Sequence, residues 1–195
     1  MLWRVAGEGK VLYLTFDDGP VPGPTEFVLD ELKKYKAKAT FFCIGDNVRK
    51  HPAIFEKVVM EGHAIGNHTF NHLKGWSTSL QVYLENIKLC NSQLATHHPQ
   101  RATLFRPPYG RITNSQISAL RNEYQIVMWD VLTHDYSSTI SSHRCLTGSI
   151  NATRPGSIIV FHDSLKAEKN LTYVLPEFLA YFSSQGFEFR TLLEI

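Results

Sequence analysis

Short apolar segments alternate with amphipathic helical ones about seven times along the chain, which restricts the fold more than any other property of the sequence. The pattern predicts strands at 11–16, 39–44, 64–66, 103–105, 126–129, 158–161 and 187–191. Helices are predicted at 25–35, 53–61, 79–97, 114–122, 142–151 and 171–185. In the first, Phe27, Val28, Leu29 and Leu32 form a stripe behind the Pro22-Gly23-Pro24 breaker. In the third, Leu80, Tyr83, Leu84, Ile87, Leu94 and Ala95 keep helical spacing. Both stripes read as core. Strands joined by helical crossovers pair in parallel, so an open α/β sheet or an α/β barrel is expected. The 195 residues suit one domain spanning 1–195, with no linker-like or repeated segment to divide it.

The polar residues fall in a telling place. Asp17-Asp18, His68, Arg106, Asp130 and His162 each stand at or just past the C-terminal end of a predicted strand. In α/β barrels that rim is where active sites are assembled, so their convergence on one face argues for an enzyme. Adjacent carboxylates at a strand end repel each other unless a cation or a division of roles separates them. His68-Thr-Phe-Asn-His72 sets two imidazoles four residues apart, which on a helical turn would share one face. With one carboxylate they would make a three-ligand site with open positions, the plan of a catalytic zinc centre. Two prolines after Arg106 fix the direction in which its guanidinium leaves the core. A rigid Arg beside a carboxylate keeps it ionised and oriented. Pro108 has no N–H, so Tyr109 offers the first amide able to stabilise an oxyanion after that turn. His162 ends the 158–161 strand, where an imidazole is placed to protonate a leaving group. Asp130 and Asp135 are candidates to orient an imidazole, while Trp129 and Tyr136 offer rings to a cleft.

Other classes are excluded or unsupported. A net charge of +2 gives no basic field of the kind that nucleic acid requires. No apolar run has the length of a transmembrane helix. Cys43, Cys90 and Cys145 form no CxxC pair, so buried free thiols are expected rather than a zinc ribbon or redox motif. The first residues show no charged leader followed by a long apolar core, and the compartment is left open.

Taken together, these segments resemble the polysaccharide deacetylases, the family built on the NodB homology domain (carbohydrate esterase family 4). Thr15-Phe-Asp-Asp-Gly19 is similar to its first motif and His68-Thr-Phe-Asn-His72 to its H-[S/T]-x-x-H motif. Arg106-Pro-Pro-Tyr109 resembles R-x-P-Y, the 129–136 segment its fourth motif, and Val160-Phe-His162 its L-x-H motif. The resemblance implies a distorted α/β barrel of about seven parallel strands and a divalent-metal deacetylase of acetylated sugars. Zinc would be the expected metal, with cobalt or nickel as alternatives, and an acetylated glycan the expected partner. An extracytoplasmic, cell-envelope role is suggested by the family alone. It implies Asp18, His68 and His72 as metal ligands, Asp17 as general base held by Arg106, and His162 as general acid. The Tyr109 amide would face the oxyanion, with Tyr136 and Val160 flanking the acetyl methyl. One departure stands out. The fourth motif usually reads D-x-x-D-W, but Leu132 occupies the place of its first Asp and Tyr136 that of the Trp. Asp130, two residues before Leu132 and so on the same face of a continuous strand, is expected to orient His162 instead, with Asp163 as the other candidate. Two further readings use the same residues: an amidohydrolase of small non-sugar amides, and a glycan-binding homologue without turnover.

Overall fold

The computed structural model describes residues 1–7, 9–98 and 102–194. Among the described residues, eight parallel strands form one curled sheet: β1 Val11–Asp17, β2 Ala39–Cys43, β3 Ala64–Asn67, β4 Leu104–Phe105, β5 Gln125–Ile126, β6 Val131–Leu132, β7 Ile158–His162 and β8 Glu188–Phe189. Their order is β5-β4-β3-β2-β1-β7-β6, with β8 paired to the start of β1. Helices α1 Pro24–Lys34, α2 Gly45–Lys50, α3 Pro52–Met60, α4 Leu80–Ala95, α5 Asn114–Leu120, α6 Ser142–Ala152 and α7 Glu168–Ser184 lie between the strands. The expected distorted α/β barrel is therefore the fold. Among the described residues, no helix is long and apolar enough to cross a membrane.

The alternating side chains of β1 explain both core and site. Leu12, Leu14 and Phe16 face the helices, where Phe16 stacks between Phe41 and Phe161 at centroid distances of 5.1 and 5.7 Å. Tyr13, Thr15 and Asp17 take the opposite parity and face the barrel interior. Val28, Leu29 and Leu32 of α1 and Val174, Leu175 and Phe178 of α7 complete the outer core. The stripe of α4 is buried at Tyr83, Ile87 and Leu94, but Leu80 is exposed. Cys43, Cys90 and Cys145 are buried free thiols.

Two differences from the expected elements bear on the site. The segment predicted as a strand over 126–129 pairs with β4 only at Gln125–Ile126, then follows the N-terminal chain. Leu2 donates to the Ile126 carbonyl and accepts from the Met128 amide, while Val5 donates to Gly156. These first residues span the open side of the barrel between the path after β5 and the start of β7. A new strand, β6, then begins at Val131, paired to Ile159 of β7. Helix α2 also had no predicted counterpart; its six residues are too few for an apolar stripe to reveal.

Register aligns the strand ends. Asp17 lies opposite Phe42 and His162, Cys43 opposite Asn67, and Asn67 opposite Phe105. Asp17 and His162 thus share a rung, and His68 and Arg106 leave the same edge of the sheet two residues further on. Gly66 enables the close approach beneath them: a Cβ there would stand 2.4 Å from the Phe42 ring. Gly66→Ala should therefore displace Phe42 and lower stability by about 1–3 kcal/mol, read as a lower urea midpoint. An unchanged midpoint would show that the ring yields freely.

Candidate active site

Arg106 organises the rim. It is fully buried, and its Nη1 donates to Asp17 Oδ1 at 2.7 Å and to Thr15 Oγ1 at 2.7 Å. Its Nη2 donates to the Met128 carbonyl at 2.9 Å and its Nε to that of Val127 at 3.4 Å. The guanidinium lies 4.2 Å from the Phe42 ring centroid. A charge this deep is tolerable only with its donors satisfied and a counter-charge beside it. Burial pushes the Asp17 carboxyl up, but Arg106 and the His68 and His162 imidazoles outweigh it, leaving Asp17 below the usual carboxylate range. Asp17 is thus an ionised, fixed carboxylate at the cleft floor.

Asp18 points elsewhere. Its backbone takes φ 84°, sparsely allowed for a residue with a Cβ, and its carbonyl accepts from Asn47 Nδ2 at 2.7 Å. The twist separates two neighbouring carboxylates. Asp18 Oδ1 is buried without a hydrogen-bond partner among the described residues. It stands 3.5 Å from His72 Nε2 and 3.8 Å from His68 Nε2. The pair does not sit on a helical turn as the spacing suggested. Residues 68–74 form a loop, with positive φ at Thr69 (65°) and His72 (58°). Asn67 Oδ1 accepts from the Thr69 amide, Asn86 Oδ1 from Phe70, and Thr69 Oγ1 from Leu73, which holds this loop in shape.

The fit to a divalent ion can be read from these atoms. His68 Nδ1 lies 2.7 Å from the Arg106 carbonyl, which can only accept, so Nδ1 carries a proton and the neutral tautomer this contact selects has its lone pair on Nε2. Burial and the neighbouring His68 push His72 down to about 4, against the pull of Asp18 and Asp17, so this imidazole is neutral at physiological pH. Ligand atoms on a tetrahedral ion at about 2.0–2.2 Å stand roughly 3.3–3.6 Å apart, close to the spacing here. Asp18, His68 and His72, all within 4.8 Å of one another, are the one such group among the described residues. An orphaned buried oxygen facing two imidazole Nε2 atoms suits a cation.

His162 faces the same cleft but has a different partner from the one expected. Its Nδ1 bonds Asp135 Oδ1 at 2.8 Å, and its amide donates to Asp135 Oδ2 at 2.7 Å. Asp130, expected to orient His162, instead accepts from Ile158 N at 2.8 Å and from Ser157 Oγ at 2.9 Å. Parity places two side chains on one face only within a continuous strand. Because β6 starts at Val131, Asp130 lies at the start of β7, the opposite end from His162. Asp135, beyond Leu132 and a positive-φ His134, reaches the rim. Asp163 is also excluded as the orienting group, since it accepts from Gly19 N and bonds Thr25 Oγ1. Burial lowers His162, but the adjacent Asp135 charge and hydrogen bond win and raise it to about 9.

The cleft measures about 440 Å³. It is lined by the predicted Asp17, Asp18, His68, His72, Tyr109, Trp129, Tyr136, Val160 and His162, by Leu132, the departure from the fourth motif, and by Gly110 and Lys166, which sequence reasoning did not single out. Tyr136 meets His162 edge-on at 4.9 Å, and Lys166 Nζ lies 5.2 Å from the Tyr136 centroid. Tyr109 holds φ 61°, and its ring covers His72 at 4.5 Å. Its N–H meets no acceptor among the described residues.

His162 yields a signed expectation. A folded value near 9 against about 6.5 unfolded means its contribution to stability is complete below about 6.5 and disappears as pH rises through 9. Asp135→Asn should lower the imidazole titration, followed by NMR, and remove this part of the stability loss between pH 6 and 10. An unmoved titration would deny Asp135 its role.

Comparison with known proteins agrees with the geometry. The profile of the polysaccharide deacetylase family matches residues 4–127. A peptidoglycan-N-acetylglucosamine deacetylase of Bacillus cereus is 34% identical over 196 residues, covering 99% of this chain and 91% of that one. A chitooligosaccharide deacetylase of Rhizobium leguminosarum bv. trifolii is 33% identical over 161 residues, covering 82% of this chain and 74% of that one. Among solved structures, the Bc1960 peptidoglycan N-acetylglucosamine deacetylase superposes with a TM-score of 0.93 at 30% identity, over 99% of this chain and 91% of that one. With the motif residues gathered at one rim and the family profile spanning most of the barrel, the chain belongs to the polysaccharide deacetylases.

Proposed function

We propose that this chain is a metal-dependent hydrolase that removes acetyl groups from the N-acetylated amino sugars of a polysaccharide of peptidoglycan or chitin type. The observation that carries the reading is the unequal treatment of two adjacent aspartates. Asp17 is engaged by Arg106, while Asp18 is turned toward His68 and His72. The relatives' names supply the substrate class.

A divalent ion, most simply zinc with cobalt or nickel as alternatives, would be held by Asp18, His68 and His72 and would supply Lewis acidity beside the scissile amide. Asp17, ionised and fixed, takes the proton of the attacking water. The Tyr109 N–H donates to the carbonyl oxygen as negative charge develops there. His162, protonated through its bond to Asp135, gives its proton to the departing amine as the C–N bond breaks. Acetate and a free amino sugar result. Val160, Leu132, Tyr136 and Trp129 supply apolar surface for the acetyl methyl and the sugar face.

Acetate release from chito-oligosaccharides, with elemental analysis of the purified protein, tests the roles separately. Asp17→Asn should keep the metal and lose about 10²- to 10⁴-fold in kcat, the range for a general base. Asp18→Ala should lose metal and activity together. An Asp17→Asn variant as fast as wild type would refute the base assignment.

A further inference from the structure

Asp163, the residue after His162, is fully buried and does not line the cleft. Its amide donates to the Asp17 carbonyl at 3.1 Å, which prolongs the pairing of β1 with β7. Its Oδ1 accepts from Gly19 N at 3.0 Å. One residue therefore holds the chain on both sides of Asp18. Its Oδ2 accepts from Thr25 Oγ1 at 2.6 Å, and that hydroxyl accepts in turn from Val21 N at 2.7 Å. Asp163 thus fastens the loop between β1 and α1 at 17, at 19 and, through Thr25, at 21. The approach is close: a Cβ on Gly19 would stand 1.9 Å from Asp163 Oδ2.

Asp18 needs such a hold. Its φ of 84° is sparsely allowed, a conformation that costs of order 1–3 kcal/mol and persists only where neighbours over-determine it. Asn47 Nδ2 on the Asp18 carbonyl and Ile44 N on the Gly19 carbonyl complete the set. No hydrogen bond among the described residues reaches Asp18 Oδ1, so the backbone sets where that carboxylate points. An apolar side chain could fill the space of Asp163 without the cost of desolvating a carboxyl group, so packing alone does not account for it.

We propose that Asp163 is a positioning residue for Asp18, aiming its carboxylate at His68 and His72 so that the three preform a cation site. The inference rests on the metal reading above and adds a residue that touches neither ion nor substrate. Competition between the zinc-free protein and a chromophoric chelator measures zinc affinity without any turnover. Asp163→Asn keeps the volume and can still accept from Gly19, but sets an amide donor against the Thr25 hydroxyl. Zinc affinity should fall about 10-fold, the lower end for groups that orient a metal ligand. Thr25→Val breaks the same bond from its other side at nearly constant volume and should give a similar loss. Thr25→Ser keeps the hydroxyl and should retain wild-type affinity. A lower urea midpoint of zinc-free Thr25→Val with its zinc affinity unchanged would reveal a merely structural role and overturn the proposal. So would a loss in Thr25→Ser equal to that in Thr25→Val. Wild-type protein that bound no zinc would overturn the metal reading itself, and this proposal with it.

Discussion

The buried pairing of Arg106 with Asp17 is the interaction on which the rest of the rim depends. Fully withdrawn from water, the guanidinium would be severely destabilising if any part of it were left unmatched. Thr15, Asp17 and the carbonyls of Val127 and Met128 match it, and these groups come from β1 and from the chain after β5, on opposite sides of the interior. One side chain therefore ties distant strands together and settles which aspartate is occupied. Its own carbonyl then accepts from His68 Nδ1, which sets that tautomer. Charge, orientation and protonation are passed along a single chain of contacts.

Local backbone strain accompanies this arrangement. Of the six non-glycine residues with positive φ among the described residues, five lie in rim loops: Asp18, Thr69, His72, Tyr109 and His134. Thr69 is β-branched, so φ 65° is especially unfavourable for it. Such conformations persist only where surrounding contacts over-determine them. Here Asn47, Asn67 and Asn86 supply those contacts to the loops after β1 and β3. The strained loops aim side chains that regular strands or helices would have pointed elsewhere.

The strand–helix alternation made the barrel legible in the sequence, because parallel strands buried on both faces read as apolar runs. The polar residues at strand ends were legible too, since a strand's parity and its C-terminal boundary decide which side chains enter the rim. Asp130 shows where such reasoning stops. A parity argument holds only inside a continuous strand, and the two-residue β5 and β6 are too short to announce the break between them. Asp135 carried a weaker signal, as a carboxylate just before an aromatic residue, but only the loop geometry places it against His162.

In the proposed mechanism two adjacent aspartates have different occupations, Asp17 on an arginine and Asp18 on a metal. The most direct measurement is a crystal structure of the zinc-loaded protein with anomalous scattering at the zinc edge. One ion should be bonded to Asp18, His68 Nε2 and His72 Nε2, with Asp17 still on Arg106 and outside the coordination sphere. An ion bridging Asp17 and Asp18, or bound away from both histidines, would contradict it.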